Sequence, residues 1–422
     1  MRKRKNEKTG RSLRGAVMLF QFLACLLLSL RGGAVDRQAL FFALALPGCT
    51  YAVSFLMDKL FQADSTVTAL MMFLIGVGVI TLKDIARSPE TPMEQFIYFG
   101  VGALGMMAAA VFMRNLRAWE KWTYWMMAGS LALLASPLFI GQWQYGAKNW
   151  IKVSGFSMQP SEFVKPALVF VMAVCLSGRT TRLNRLLALA FAAALCVLLL
   201  LERDLGALLL YFVVTMLLYY ASTSNLLVTL MGFGAGAAGA YGAYSLFPYV
   251  QRRIAAFQDP WSDPLDKGYQ IIQALIAIGS GGFFGMGLGL GLPRNIPLYH
   301  SDFIFAAICE EFGCLFALCL IGVYLLIALR GFAIAAAARS SFHALVAFGV
   351  SAEIALQALL IIGGNTKLIP LTGVTLPLVS SGGSSLAASM VSLGLLLGVS
   401  SVNAQYDREA ERRLQDMEGE PA

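Results

Sequence analysis

The sequence predicts an all-α, polytopic membrane protein of about twelve transmembrane helices. Three observations predict it. Of 422 residues, 58% are hydrophobic and only 13% are charged, roughly half the ~25% charged fraction of a soluble domain. Mean hydropathy is +0.69. Apolar runs close to the ~20 residues that cross a ~30 Å hydrocarbon core recur along nearly the whole chain. Length alone would suggest two or three domains. No polar stretch is long enough to fold as a separate soluble one, so the chain reads as one membrane body.

The runs fall near residues 15–30, 39–57, 65–82, 94–113, 122–141, 162–178, 185–200, 204–222, 225–247, 303–329, 342–363 and 378–401. The segment Met1 to Arg14 is strongly basic and leads into the first run. A cleaved signal peptide has the same outline, but small residues at a cleavage site are weakly arranged and further spans follow at once. An uncleaved first helix is therefore expected. The run at 225–247 carries Gly232, Gly234, Gly236 and Gly239, which predicts close helix packing.

Orientation follows from the basic residues. With the N-terminus in the cytoplasm, the cytoplasmic loops and C-terminal tail carry Lys59; Arg114, Arg117 and Lys121; Arg179, Arg182 and Arg185; Arg330 and Arg339; and Arg408, Arg412 and Arg413. The opposite loops carry fewer, at Lys83 and Arg87, Lys148 and Lys152, and Arg252 and Arg253. Both termini are thus expected in the cytoplasm. The segments Gly141 to Pro160 and Phe247 to Asp302 are expected on the outer face. Loops as long as the second are uncommon unless functional or disordered. Its aromatic and apolar content predicts short helices lying against the membrane surface. The tail from Asn403 to Ala422 is charged and reads as a solvated helix or a disordered end.

The formal net charge is +8, but the charges sit in short loops between apolar runs, where they set topology. Nucleic-acid binding is not implied. Seven cysteines (Cys25, Cys49, Cys175, Cys196, Cys309, Cys314 and Cys319) show no paired CxxC spacing and read as small buried apolar residues. Two histidines, His300 and His343, exclude a His-rich metal site.

Ionisable groups in or beside membrane spans are costly and mark function by default. Glu162 and Lys165, three apart at the start of a run, share a helix face and can pair. Asp204 opens a helix after Glu202 and Arg203. Glu310 and Glu311 lie one turn into the span that follows Asp302. For Asp204 and Glu310, a helix cap or a buried pair weighs as much as a functional role. Lys367 sits in a Gly/Pro-rich break from Gly363 to Pro370, and a second break runs from Ser380 to Ser385. The strongest chemical candidates are the steps Asp259-Pro260 and Asp263-Pro264, because proline restricts itself and the residue before it. A carboxylate held in such a turn can serve as general base or metal ligand, although a lone Asp-Pro is more often only a turn. The glycine-rich stretch from Gly279 to Gly289 could cradle phosphate through backbone amides. Without a following Lys-Ser/Thr it is no nucleotide loop.

Together these segments resemble the shape, elongation, division and sporulation family (SEDS; RodA/FtsW/SpoVE-like). Gly146 to Ile151 with Gln159 to Lys165 is similar to the family's GARRWI…QPSEFAK. Asp263-Pro264-Leu265, Gly268-Tyr269-Gln270 and Ala277 to Gly282 resemble DPLGxGYQ…AIGSGG. Asp302 to Ala306 with Glu310 to Gly313 resembles DFIFA…EELG. Pro370 to Pro377 with Ser380 to Ser385 resembles PVTGVTLP…SYGGSS. The likeness spans about residues 65–402, as a ten-helix core with the large loop 248–302. It leaves residues 1–64, with the basic N-terminus and two extra helices, and the tail 403–422 outside.

The resemblance implies a peptidoglycan glycosyltransferase that joins lipid II disaccharide-peptide units to a growing glycan strand and releases undecaprenyl pyrophosphate. Such a reaction needs a base for the acceptor hydroxyl and charge stabilisation for the departing pyrophosphate. By the same resemblance Asp263 is the general base, ahead of Asp259, and Glu162 with Lys165 is the family's polar pair. Lys165, Lys152 and Arg253, in that order, are cations for pyrophosphate. Gln159, Ser161, Asp302, Tyr269, Gln270 and Ser384 complete the substrate-binding set. A divalent cation (Mg or Mn), a class B penicillin-binding protein with a single span, and an apolar groove for the isoprenoid tail are further implications. The pattern departs from the family where Glu202-Arg203-Asp204 replaces Gln-Pro-Asp, in the stretch Leu292 to Asp302, and where Ser381 replaces Tyr. A lipid II flippase and a non-catalytic division scaffold are the rival readings. A transporter places its ionisable groups near the bilayer midplane, whereas Asp263, Glu162, Lys165 and Asp302 are expected at the outer face.

Overall fold

All twelve apolar runs are helical. The computed structural model describes residues 2–31, 35–86, 88–115, 120–144, 146–153, 156–178, 181–266 and 268–418. Arg87, Arg117 and Arg179 of the charge pattern, and Lys267, lie outside the described residues. The first nine helices are α1 (Arg2–Leu30), α2 (Arg37–Leu56), α3 (Ser65–Ile85), α4 (Glu90–Asn115), α5 (Glu120–Ile140), α6 (Pro160–Leu176), α7 (Arg182–Glu202), α8 (Leu205–Thr223) and α9 (Leu226–Leu246). Then come α10 (Pro248–Gln258), α11 (Tyr269–Gly281), α12 (Ile304–Ala336), α13 (Ser341–Asn365) and α14 (Gly383–Glu418). Among the described residues, eleven helices are long and apolar enough to cross a membrane. The twelfth expected span, α6, has 17 residues, at the lower end of the spanning range.

Polar residues set where these helices begin. The Asp36 side chain accepts from the backbone N–H groups of Gln38 and Ala39, Asp64 from Thr66 and Val67, and Asn225 from Val228. Each satisfies amides that the first turn leaves without partners. The centre of the bundle is α3, α6, α13 and α14, whose residues are mostly buried. Small residues permit the closest approaches. A Cβ on Gly394 would lie 2.4 Å from the Met106 carbonyl oxygen and one on Gly398 2.7 Å from Met113 Cβ, so α14 lies directly along α4.

The two extra helices are fastened to the core by polar contacts. Gln21 of α1 donates to the Met72 carbonyl of α3 at 3.0 Å and accepts from Thr50 of α2 at 2.9 Å. At the far end Lys83 pairs with Asp36 at 2.7 Å and Arg31 with Asp84 at 3.2 Å.

Helix α12 is broken at Gly313, where φ is 83° and ψ is 170°. The glycine-rich stretch after α11 mends the break. Cys314 and Leu315 donate to the carbonyls of Gly282 and Phe283, and Met286 and Gly287 donate to those of Glu310 and Glu311. The glycine-rich motif is thus partly spent on backbone pairing with a broken span.

Three features differ from expectation. Helix α9 is peripheral: Gly232 and Gly236 admit Met216 and Phe212 of α8, whereas Gly234 and Gly239 face nothing within 4 Å. Its small residues make one seam, not all-round packing. Cys25, Cys175 and Cys309 are buried, but Cys314 and Cys319 are exposed on the apolar flank of α12, because a thiol is apolar enough to face lipid. The segment after α5 is a three-stranded antiparallel sheet, β1 (Gln142–Gln144), β2 (Ala147–Val153) and β3 (Phe156–Met158). Strands this short carry too little alternation to stand out from a loop. The long stretch 247–302 folds as expected into short helices, α10, α11 and single turns at Pro260–Ser262 and Pro293–Asn295. The charged tail continues α14 to Glu418, which is the helical alternative.

Candidate active site

The α7–α8 junction is the hub of one end of the bundle. Helix α7 ends at Arg203, whose backbone is left-handed (φ 63°, ψ 27°). The next residue, Asp204, caps α8: its Oδ1 accepts from the Ala207 N–H at 3.0 Å. Its Oδ2 accepts from Asn149 Nδ2 of β2 at 2.9 Å, Gln159 Nε2 at 2.8 Å and Ser161 Oγ of α6 at 3.3 Å. One carboxylate therefore joins the small sheet, the start of α6 and the start of α8. Bonds to a charged acceptor are the strong ones.

Above this hub lies a cavity of about 660 Å³, lined among others by Glu94, Gln95 and Tyr98 of α4, by Asn149, Gln159, Arg203 and Asp204, by Arg253 of α10, by His300, Ser301 and Asp302, and by Thr372, Thr375 and Gly383. Asp302 precedes α12, and its backbone carbonyl accepts from Asn365 at 2.8 Å. Burial pushes its carboxyl up to about 6, opposed by the Ser301 hydroxyl and the Arg253 charge and assisted by Asp204. Burial also lowers the pKa of His300. The serine break braces the floor: Ser380 Oγ donates to the Ser301 carbonyl at 2.7 Å, Ser381 N to the His300 carbonyl at 2.8 Å, and Gln95 to the Ser380 carbonyl at 3.0 Å.

The Glu162–Lys165 pair forms at 2.6 Å with both side chains buried, but it does not line the cavity. Lys165 donates to Gln357 Oε1 of α13 at 2.8 Å, and Gln357 donates to the Thr375 carbonyl at 2.9 Å. The pair thus lies one residue behind the wall. Glu353, one turn earlier on α13, is buried nearby against Ser392 at 3.4 Å. Ionisable groups therefore reach into the bundle beyond the end that holds the cavity.

Of the predicted site residues, the fold brings Gln159, Arg253 and Asp302 to the cavity wall. Ser161 stands behind it on Asp204, and Ser384 Oγ accepts from the Gln159 N–H at 3.4 Å. Lys152 is exposed on β2 and not at the wall, although its cross-strand partner Ser157 is. Tyr269 and Gln270 open α11, where the Tyr269 hydroxyl donates to the Asn295 carbonyl at 3.4 Å. Asp263 is half-buried after the Pro260–Ser262 turn, and its carbonyl accepts from Gly268 N at 2.9 Å. It is not among the residues that line the cavity. The turn is tight, since a Cβ on Gly268 would lie 1.8 Å from the Pro260 carbonyl oxygen.

Asp204, for which a cap and a functional role weigh equally in the sequence, caps α8 and also lines the cavity. Asn149 and Thr375 lie inside the motifs Gly146 to Ile151 and Pro370 to Pro377 without a role of their own there, and the only signal of Gln357 is a polar side chain inside an apolar run. Among the described residues no group of three or more His, Cys, Asp or Glu could share a metal ion. The donor set of the described residues does not fit a metal held by three or more such protein ligands.

A bundle of membrane-length helices, closed at one end by a small sheet over a polar cavity walled by carboxylates and guanidinium groups, defines a polytopic membrane protein with a polar site at one end of its spans. Residues 55–405 match the family described as Cell cycle protein, FtsW/RodA/SpoVE, and the chain belongs to that family. It is 36% identical over 365 residues to peptidoglycan glycosyltransferase RodA of Mycobacterium tuberculosis (strain ATCC 25618 / H37Rv), covering 80% of this chain and 78% of that one. It is 34% identical over 320 residues to stage V sporulation protein E of Bacillus subtilis (strain 168), covering 73% and 86%. Among solved structures it is similar to a chain of a peptidoglycan synthase complex described for its coordination of polymerization and crosslinking, with TM-score 0.69, 31% identity, and 81% and 99% of the two chains covered. It is also similar to the rod shape determining protein RodA of Thermus thermophilus, with TM-score 0.60, 27% identity, and 80% and 96% covered.

Proposed function

We propose that this chain is a peptidoglycan glycosyltransferase that polymerises lipid II at the outer face of the membrane, with both termini in the cytoplasm. The observation that carries the reading is one cavity holding Asp302, Arg253 and Arg203 beside the Asp204 hub, in a family whose members are named for this activity. In the reaction a sugar hydroxyl of one substrate attacks the anomeric carbon of the other. The O–H proton passes to a carboxylate, the new C–O bond forms, and the bond from that carbon to the pyrophosphate oxygen breaks. The oxyanion leaves on the polyprenyl lipid. Guanidinium groups in a partly desolvated cavity stabilise that developing charge.

Asp263 is the proposed base, held in a proline turn at the end of α10, the helix whose Arg253 faces the cavity. Asp302 is the second candidate, favoured by its place on the wall and by a carboxyl whose pKa of about 6 is close to a working pH. No step is assigned to a metal. Crosslinking falls to a single-span class B penicillin-binding protein, a reading supported by the structural relative from a synthase complex. Lipid II flipping is the second reading, favoured by the buried Glu162, Lys165 and Glu353 within the spans.

The test is polymerisation of lipid II by the purified protein in nanodiscs, comparing the parent with Asp263→Ala, Asp263→Asn and Asp302→Asn. Glycan from the parent and none from the Asp263 variants supports the reading. Parent-like glycan from both Asp263 variants moves the base to Asp302, and no glycan from the parent, with or without a transpeptidase, leaves the transport reading.

A further inference from the structure

Arg203 stands where the family pattern has proline, and nothing in the resemblance assigns it a task. Its left-handed backbone (φ 63°, ψ 27°) is the conformation in which helices ordinarily end on glycine or asparagine. An arginine there carries a backbone cost that glycine would not. The guanidinium lies 4.9 Å from the ring centroid of Trp143 on β1 and 5.4 Å from that of Tyr249 on α10, so two aromatic rings hold it by cation–π contact. Its N–H groups meet no acceptor among the described residues. The neighbouring carboxylate, Asp204, is already engaged by Asn149, Gln159, Ser161 and Ala207.

Arg203 and Arg253 line the same cavity, and Tyr249 feels both. Burial holds its phenol above the usual value against the opposing pull of those two cations. Its hydroxyl is buried without a hydrogen-bond partner among the described residues. Arg253 spends one N–H on the Thr372 carbonyl at 3.3 Å, so two cations line one cavity with donors to spare. A guanidinium fixed by stacking is preorganised for two parallel bonds to phosphate oxygens, and two such groups match the two phosphorus centres of a diphosphate.

We propose that Arg203 and Arg253 form an oxyanion subsite for the diphosphate of a polyprenyl-linked substrate, with Trp143 and Tyr249 positioning Arg203. The inference deepens the glycosyltransferase reading and rests on it for the identity of the lipid. A phospholipid headgroup offers the same phosphate oxygens, so the test separates the two sources.

The experiment measures binding of radiolabelled undecaprenyl pyrophosphate to the full chain in phosphatidylcholine nanodiscs, for the parent, Arg203→Gly, Arg203→Lys and Trp143→Ala. Loss of a charge-assisted contact should weaken binding about tenfold in Arg203→Gly, with smaller losses in Arg203→Lys and Trp143→Ala. Glycine suits the left-handed backbone, so Arg203→Gly should unfold at or above the parent's temperature, and its loss is then one of binding and not of folding. Inorganic pyrophosphate should compete with the labelled lipid in the parent. Parent-like affinity in Arg203→Gly overturns the subsite. Equal competition by phosphatidylglycerol overturns its assignment to diphosphate. A parent that binds the lipid but makes no glycan sinks the polymerase reading and keeps the subsite, whereas a parent that makes glycan while Arg203→Gly binds normally does the reverse.

Discussion

The Lys165 ammonium lies 2.6 Å from the Glu162 carboxylate, and its other bond, at 2.8 Å, goes to Gln357 and not to the cavity. The lysine that motif resemblance offers to pyrophosphate is therefore held behind the wall, where it ties α6 to α13. From there Gln357 reaches Thr375, which faces the cavity and shares a 2.6 Å hydrogen bond with Ser385. The pair acts on the site through what it holds in place.

Removing one member of this pair should cost more than removing both charges. Lys165→Ala leaves Glu162 buried and unneutralised, and breaking a buried pair in this way costs about 3–5 kcal/mol. The double variant Glu162→Gln with Lys165→Met should recover much of that loss. Thermal unfolding in detergent across the single and double variants measures the difference.

Asp204 should be intolerant even of its amide. Asn149, Gln159, Ser161 and Ala207 all donate to its oxygens, and asparagine would turn an NH2 group toward one set of donors. Asp204→Asn should lose polymerisation by about tenfold or more, and stability by about 1–3 kcal/mol for charge-assisted bonds forgone. Activity and unfolding temperature measured on the same preparation separate the two effects.

Asp302 predicts a pH dependence. Its carboxyl stands near 6 against a usual 3.8, so the folded chain binds the proton more tightly than the unfolded one does. The stability this supplies is complete below the unperturbed value and is lost as pH rises through about 6. For turnover the sign is opposite if the ionised form is needed: the rate should fall about tenfold per unit below pH 6. Asp302→Asn should remove that limb of a pH–rate profile, whatever activity remains.

Gly313 should accept no side chain. Its φ and ψ of 83° and 170° are open to glycine alone, and a Cβ there would lie 2.3 Å from Gly285 N, on the backbone that mends the broken helix. Gly313→Ala should cost about 3 kcal/mol or more, or abolish recovery of folded protein. Gly234→Ala on α9, where a Cβ meets nothing within 4 Å, is the matched control that should leave the yield of folded protein unchanged.

Much of the fold is legible in the chain because it depends on local chemistry. Apolar runs of membrane length become helices wherever they stand, since hydrocarbon leaves the backbone no other partner than itself. Asp36, Asp64 and Asn225 mark their starts through side-chain bonds two or three residues away. The polar motifs Gln159 to Lys165 and Asp302 to Glu311 likewise announce that something costly sits beside the spans. The sheet after α5 is not legible in the sequence, because strands this short fall below any periodic signal.

What the tertiary structure alone decided is which of those groups meet. Asp204 joins Asn149 and Gln159 across about fifty residues of chain, Lys165 finds Gln357 across nearly two hundred, and Arg203 is stacked between rings from a strand and a distant helix. Such pairings depend on how helices pack, through small residues such as Gly394 and Gly398 and through a break such as Gly313. Packing sums many weak contacts between distant positions, and no local pattern of residues encodes that sum.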